Sequence, residues 1–168
     1  MSEALIESTH QYLTFCLGKE IFAVDVAKAR EVLDNISITK VPQTPGYMLG
    51  VINLRGNVVP VIDMRLKFGM DAVERTVDTC IIVLEISVDG EAVVIGAQAD
   101  SVQEVLDISA GQIEPPPRLG TRLNTEFIQG MGNCNEEFVI ILDIDKVFTT
   151  EEIFLAQSLL KDVETGAP

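Results

Sequence analysis

Three aspartates stand at positions where their carboxylates could do chemistry. Asp63 follows the apolar run Val58–Ile62, and Asp143 follows a second apolar run, Val139–Leu142, with Asp145 two residues further on. Paired carboxylates can serve as acid and base or hold a divalent metal ion. A carboxylate-dependent hydrolase or metal-binding enzyme is therefore one hypothesis.

The same aspartates also stand where they could cap helices. The carboxylate of Asp63 can accept from the unpaired amides of a short helix over residues 64–68, and Asp143 has the same relation to the residues after it. No loop with calcium-binding spacing surrounds either residue. The sequence favours capping, and it predicts no catalytic residue, no metal ligand and no cofactor.

The remaining nucleophiles and metal-ligand types are isolated. His10 is the single histidine and lies in a polar segment without a spaced partner. Cys16, Cys80 and Cys134 are odd in number, far apart and embedded in strand-like runs, which predicts reduced, buried thiols rather than a disulfide or zinc site. No glycine-rich loop has the spacing that nucleotide phosphates need.

Arg55 differs from these residues because it interrupts an apolar strand just before a glycine turn. Glu31 interrupts a comparable segment upstream. A guanidinium and a carboxylate brought together on a barrel rim could order each other and leave Arg55 donors free for a partner. The alternative is that Arg55 is a solvated residue at a strand end, and composition does not decide between the two.

The composition limits the kind of partner and the fold. The net charge of −14, from 26 acidic and 12 basic residues, argues against DNA, RNA or an anionic membrane and favours a protein with basic patches. The absence of Trp means that Val, Ile and Leu fill the core, and β-branched residues favour strands. The acidic N-terminus lacks the basic region of a secretory signal, which predicts a cytoplasmic protein.

Two kinds of repeat indicate that the chain consists of two similar halves. The segments Glu31–Asp34 and Glu104–Asp107 have the same sequence, 73 residues apart. Asp63 and Asp143 are 80 residues apart, as are the two phenylalanines that follow them. A duplication of this kind gives information about the fold before it gives any about a chemical activity.

The strands and turns that position these residues follow from the apolar runs and the glycines. Hairpins are predicted around Gly18–Glu20, Gly56–Asn57 and Asp89–Gly90. One helical turn is predicted at residues 27–30, a long irregular segment at 110–125 and a C-terminal helix at 149–163, where Thr149 to Glu152 has capping-box spacing.

Many short strands in two copies predict a mainly β protein with a pair of small β-barrels and short helices. We expect a tail at residues 1–9, a single domain at 10–148 and a tail at 164–168. Within the domain, the first barrel is predicted at about 10–75 and the second at about 78–148, with charged residues 71–78 at the boundary.

The chain resembles the CheW-like chemotaxis coupling proteins from about Gln11 to Phe148. The residues that carry the resemblance are Gly50-Val51-Ile52-Asn53-Leu54-Arg55-Gly56 and Val59-Pro60-Val61-Ile62-Asp63-Met64-Arg65, with Thr44-Pro45 before them and Ser101 to Asp107 and Thr125-Glu126-Phe127 in the second half. A long, ordered pattern of this kind is far more specific than a short motif.

The resemblance implies two intertwined SH3-like, five-stranded β-barrels and no catalytic activity. It implies an adaptor that couples transmembrane chemoreceptors to a histidine kinase by binding the kinase's regulatory domain and the receptor's cytoplasmic tip. The expected location is cytoplasmic, at membrane receptor arrays, without membrane insertion or nucleic-acid binding. A coupling protein of a non-flagellar chemosensory pathway is the alternative.

The resemblance also implies which residues bind each partner. Glu31 and Arg55 match positions tied to receptor and array contacts, and Ala29 and Val32 neighbour them. Val102 and Val105 are expected to contact receptor from the second half. The expected kinase-binding residues are Leu49 and Gly50.

Overall fold

The structure is a computed structural model that describes residues 9–34, 36–42, 46–88, 90–115, 127–134, 137–148 and 152. The strands are β1 (Thr9–Leu17), β2 (Glu20–Asp25), β3 (Ala29–Asp34), β4 (Met48–Leu54), β5 (Asn57–Asp63), β6 (Cys80–Val88), β7 (Glu91–Ala99), β8 (Ser101–Ser109), β9 (Ile113–Glu114), β10 (Ile128–Cys134) and β11 (Glu137–Leu142). Two one-turn helices follow β5 and β11, namely α1 (Met64–Lys67) and α2 (Ile144–Val147).

The strands form two mixed sheets, each built from both halves of the chain. The six-stranded sheet has the order β8-β1-β2-β11-β10-β9, and the five-stranded sheet has the order β3-β6-β7-β5-β4. The predicted mainly β architecture is confirmed, and the sheets are consistent with intertwined SH3-like barrels. The strands do not group into the contiguous segments 10–75 and 78–148, because β1–β2 and β6–β7 each join the sheet formed mainly by the other half.

Local predictions hold for the hairpins and differ at two connections and at the start of β1. The hairpins β1–β2, β4–β5 and β6–β7 form as predicted. The helical turn is a 3-10 turn at Val26–Lys28, capped by the Asp25 carboxylate, so Ala29 already lies in β3. Thr9 belongs to β1 rather than to a tail, and Ala110 to Glu114 is a 3-10 turn followed by β9 rather than irregular.

Some predictions concern residues outside the described ranges. These are the tail at 1–8, the irregular segment from residue 116 to 125, most of the C-terminal helix at 149–163 and the tail at 164–168. No helix within the described ranges is long and apolar enough to span a membrane.

Both faces of the central strands are buried, which explains their continuous apolar runs. In β5, Val59 and Val61 belong to a smaller hydrophobic core enclosed by the five-stranded sheet, whereas Ile62 belongs to the main core between the two sheets. In β11, Val139 and Ile141 belong to a corresponding smaller core on the six-stranded sheet. Since side chains alternate along a strand, one run of β-branched residues supplies two core layers.

A column of phenylalanines holds the sheets together. Phe22 stacks on Phe15 and on Phe68, with ring centroids 5.7 and 5.3 Å apart, and Phe68 stacks on Phe127 at 5.1 Å. All four rings are buried. Because these rings come from both halves, the column fixes the halves against each other.

The Arg65–Asp100 ion pair ties α1 to the connection between β7 and β8. The Arg65 guanidinium donates from Nη2 to Asp100 Oδ2 at 2.6 Å and from Nε to Oδ1 at 2.8 Å. The Gly18 amide donates to the same carboxylate at 2.7 Å. The hydrogen bonds from Arg65, followed by that from Gly18, lower the pKa of Asp100 although partial burial opposes this.

We expect Asp100→Asn to lower the free energy of unfolding by about 1–3 kcal/mol at pH 7, because Arg65 would lose its ionised acceptor. Since the pKa of Asp100 is lower in the folded state than its ordinary value of about 3.9, its stabilising effect is complete above about pH 4. The effect is lost as the pH falls through the lower folded-state pKa. Urea unfolding at pH 7, 5 and 3 measures this, and an unchanged difference at pH 3 would contradict it.

Candidate functional site

Glu31 and Arg55 form a two-pronged ion pair at one end of the five-stranded sheet. Arg55 donates from Nη1 to Glu31 Oε1 at 2.7 Å and from Nη2 to Oε2 at 3.0 Å. The Arg55 side chain is 74% exposed, whereas that of Glu31 is 25% exposed. The hydrogen bonds with Glu31 raise the pKa of Arg55, so the guanidinium stays charged.

The turn between β4 and β5 holds Arg55 in a left-handed backbone conformation. Arg55 has a φ of +52° and Gly56 a φ of +86°, whereas Asn57 already begins β5. Tight hairpin turns of this kind favour Asn-Gly, and arginine is uncommon at a positive φ. The choice of arginine at this position is therefore not explained by the turn.

Asn53 also belongs to this site, a role that was not predicted from the sequence. Its side-chain Oδ1 accepts from the Gly56 amide at 2.9 Å, which closes the turn that carries Arg55. The spacing of an asparagine three residues before a glycine is the signal that could have identified it.

A groove of about 660 Å³ lies next to the ion pair. Its rim carries Arg30, Glu31 and Arg55, and its apolar floor includes Val83 and Val93. A groove with a charged rim and an aliphatic floor suits an aliphatic side chain of a partner flanked by polar groups.

The predicted receptor-binding residues fall on both sheets. Val32 lies beside Glu31 on β3 and is 39% exposed, whereas Ala29 is half-buried against the core between the sheets. Val105 is 47% exposed on β8, which belongs to the six-stranded sheet, and Val102 on the same strand is half-buried. The structure thus brings Glu31 and Arg55 into contact, and Val102 and Val105 belong to a separate strand edge.

Gly50 has a structural reason to be glycine. Its φ is +146°, and a Cβ at this position would overlap the carbonyl group of Thr39. The chain crosses there because Thr39 and Val51 form a bridge with hydrogen bonds of 2.8 Å in both directions. Leu49 is half-buried and packs against the interior of the same sheet.

Gly130 is the counterpart of Gly50 in the six-stranded sheet, where β9 pairs with β10 and a Cβ would overlap the Ile113 side chain. Each glycine follows a β-bulge in its hairpin. The duplication of the fold therefore extends to the two positions where a neighbouring segment lies too close for a Cβ.

The aspartates act as helix caps. The carboxylate of Asp63 accepts from the Arg65 amide at 2.9 Å, and that of Asp143 accepts from the Asp145 amide at 3.3 Å. Burial raises the pKa of Asp63 despite these contacts with α1. Within the described ranges, no group of three or more His, Cys, Asp or Glu side chains could hold a metal ion.

The cysteines are free thiols, and Cys80 is buried whereas Cys16 and Cys134 are half-buried. Burial raises the pKa of Cys80, and a hydrogen bond with Asp34 adds to this effect. Burial also raises the pKa of Cys134. A raised thiol pKa disfavours the reactive thiolate.

These features define a class: a protein of two intertwined SH3-like barrels in which Asp63 and Asp143 cap helices and the charged pair Glu31–Arg55 lies at one end of a sheet. Residues 11–152 match the model of the CheW-like domain family. The chain belongs to this family.

Known relatives cover most of the chain. It is 37% identical over 151 residues to the chemotaxis protein CheW of Klebsiella aerogenes, covering 90% of this chain and 89% of the relative. It is 32% identical to that of Rhizobium meliloti, covering 88% and 93%. The crystal structure of the scaffolding protein TtCheW from Thermoanaerobacter tengcongensis is similar with a TM-score of 0.75 and 34% identity, covering 85% and 94%.

Proposed function

We propose that this protein is a non-enzymatic adaptor that couples transmembrane chemoreceptors to a chemotaxis histidine kinase. It acts in the cytoplasm, at membrane receptor arrays, by binding the kinase's regulatory domain and the cytoplasmic tip of the receptors. Membership of the CheW-like domain family supports this role, as do the names of the relatives, which are chemotaxis and scaffolding proteins.

The backbone conformation of Arg55 is the observation that indicates which residues contact a partner. The turn holds this exposed side chain at a positive φ, which arginine rarely adopts. Strained residues of this kind cluster at functional sites. We propose that Arg55, with Glu31 and Val32, contacts the partner.

The pairing with Glu31 pre-organises Arg55 without exhausting its donors. Glu31 takes two of the five N–H groups of the guanidinium, and within the described ranges Arg55 donates to no other residue. A partner carboxylate or carbonyl could therefore accept from a guanidinium whose orientation is already fixed, which reduces the entropy lost on binding.

Binding alone is sufficient as the mechanism. A protein that binds two partners shifts the activity of one if its affinity differs between that partner's active and inactive states. We propose that the adaptor holds the kinase in a geometry in which the receptor state changes this balance.

Reconstitution tests the proposal. Receptor-containing membranes and each chemosensory kinase of the host are combined with and without this protein, and kinase autophosphorylation is measured. We expect strong activation that an attractant suppresses. The kinase that responds distinguishes swimming chemotaxis from a non-flagellar pathway, and no response from any of them would contradict the proposal.

Exchanging the two charges separates the internal role of the pair from its contact with a partner. In Glu31→Arg/Arg55→Glu, the ion pair can re-form, but the outward donors move from the turn to β3. We expect the double variant to fold but to lose receptor control of kinase activity. Full recovery of attractant-controlled autophosphorylation would show that only the internal pair matters, and Lys19→Ala, in an exposed turn, is the control.

A further inference from the structure

All ion pairs that join the two halves of the described chain have the same polarity. Residues 9–69 form the first half, and residues from 80 onward form the second. The pairs are Lys28–Asp145 at 3.1 Å, Arg30–Glu85 at 4.0 Å, Arg65–Asp100 at 2.6 Å and Lys67–Glu152 at 2.9 Å. In each of them the first half supplies the cation and the second half supplies the anion.

The full sequence has the same asymmetry. Residues 1–78 contain 8 basic and 10 acidic residues, a net charge of −2, whereas residues 79–168 contain 4 basic and 16 acidic residues, a net charge of −12. The two halves share one architecture but differ in electrostatic character.

Two of these ion pairs occupy corresponding places in the duplicated fold. Arg65 is the second residue of α1, and Asp145 is the second residue of α2. Arg65 binds Asp100, which precedes β8, and Asp145 binds Lys28, which precedes β3. The corresponding places therefore hold opposite charges in the two halves.

These opposite charges distinguish the pairing of two unlike halves from the pairing of two like halves. If a first half paired with another first half in the same geometry, Arg65 would face Lys28, and two second halves would bring Asp145 to Asp100. Like charges in a partly buried site are unfavourable, whereas a first half and a second half are complementary.

The same interface also carries much of the strand pairing. Four pairings join the halves, namely β1 with β8, β2 with β11, β3 with β6 and β5 with β7. Without its partner, each half would leave these strand edges open. The connection at residues 70–79 contains no strand.

We propose that the interface between the halves is a self-sufficient recognition surface whose charges select the unlike half, and that it accepts the complementary half of a second copy of this chain. Two copies that open at residues 70–79 can then exchange halves and restore every strand pairing and ion pair. The charges permit exchange between unlike halves and disfavour pairing of like halves.

The test uses the full chain with a site-specific protease sequence inserted between Val73 and Glu74. After cleavage of the folded protein, we expect the halves to remain associated and the unfolding midpoint to become dependent on concentration. Isotopically heavy and light cleaved proteins are then unfolded together in urea, refolded by dilution and examined by native mass spectrometry. The four combinations of halves are expected in equal amounts.

The charge selection is tested by mixing heavy cleaved wild type with light cleaved Arg65→Asp/Asp100→Arg. The parental combinations keep opposite charges, whereas the crossed combinations bring like charges together, so we expect crossed species to be at least about tenfold rarer. The pair Lys28→Asp/Asp145→Lys, at a more exposed site, repeats the test if the first variant folds poorly.

Two outcomes would overturn the proposal. Equal amounts of parental and crossed species with both charge-exchanged variants would show that the charges do not select the partner. Failure of the cleaved wild-type halves to stay together, or to recombine after dilution, would show that the interface depends on the covalent connection. Neither outcome bears on the adaptor function, which is measured by kinase reconstitution.

Discussion

Arg55→Gly is expected to abolish receptor-controlled kinase activation and to leave the unfolding midpoint unchanged or higher. Glycine adopts the positive φ of this turn without strain, so the backbone becomes more favourable. The Arg55 side chain of the ion pair that is lost is 74% exposed, although that of Glu31 is 25% exposed, and ion pairs open to solvent contribute little to stability. Kinase autophosphorylation with receptor membranes, together with thermal unfolding, measures both effects.

Arg55→Asn is the matched variant, because asparagine also tolerates this turn but cannot reach Glu31 in the same way. Lys19→Ala in the β1–β2 turn controls for the loss of an exposed positive charge. If Arg55→Gly lowers the midpoint by many degrees, Arg55 is structural. Normal kinase control in a folded Arg55→Gly protein would remove Arg55 from the proposed contact surface.

Gly50→Ala is expected to lower the free energy of unfolding by at least about 3 kcal/mol. The φ of +146° is unfavourable for any residue with a Cβ, and the added methyl group would overlap the Thr39 carbonyl. The backbone at this crossing cannot move away easily, because Thr39 and Val51 are hydrogen-bonded to each other in both directions. Urea unfolding followed by circular dichroism measures the change.

Two other glycines provide graded controls. Gly111→Ala should be nearly neutral, since nothing lies within 4 Å of the added group. Gly130→Ala should be intermediate, since its closest clash is with the Ile113 side chain and the nearest backbone atom, the Glu114 carbonyl oxygen, would be 3.0 Å away. If Gly50→Ala proves as stable as Gly111→Ala yet loses kinase binding, Gly50 contacts the kinase directly.

These two substitutions distinguish two kinds of constraint within one short segment. Gly50 is required by the crossing of two backbone segments, and Arg55 occupies a conformation that suits glycine better. The resemblance to the family implies a binding role for Gly50 and for Arg55 without distinguishing between them. The physical environment separates the position that maintains the fold from the one that we propose contacts a partner.

Much of the fold was predictable because its determinants are local. The three predicted hairpins depend on glycine turns between β-branched runs, and the caps of α1 and α2 depend on an aspartate directly before each helix. The equal spacing of Asp63 and Asp143 also predicted the duplication correctly. Interactions of this kind involve residues a few positions apart, so a pattern in the sequence contains both partners.

The association of the strands was not predictable from these local patterns. A contiguous first barrel at residues 10–75 satisfies the same hydrophobic pattern as the observed sheets, in which β3 pairs with β6 and β5 pairs with β7. A continuous apolar strand requires burial on both faces but does not specify its neighbour. Only the packing of the complete chain decides that choice.

The candidate site shows the same division. Arg55, as a charged residue at the end of an apolar strand, and Glu31, as its possible partner, could be identified from the sequence. The distances of 2.7 and 3.0 Å between them, the positive φ of Arg55 and the common polarity of the ion pairs between the halves depend on the tertiary structure. Glu31 and Arg55 lie 24 residues apart, and the partners across the halves are 35 to 117 apart. Their contact therefore follows from strand association rather than from any local pattern.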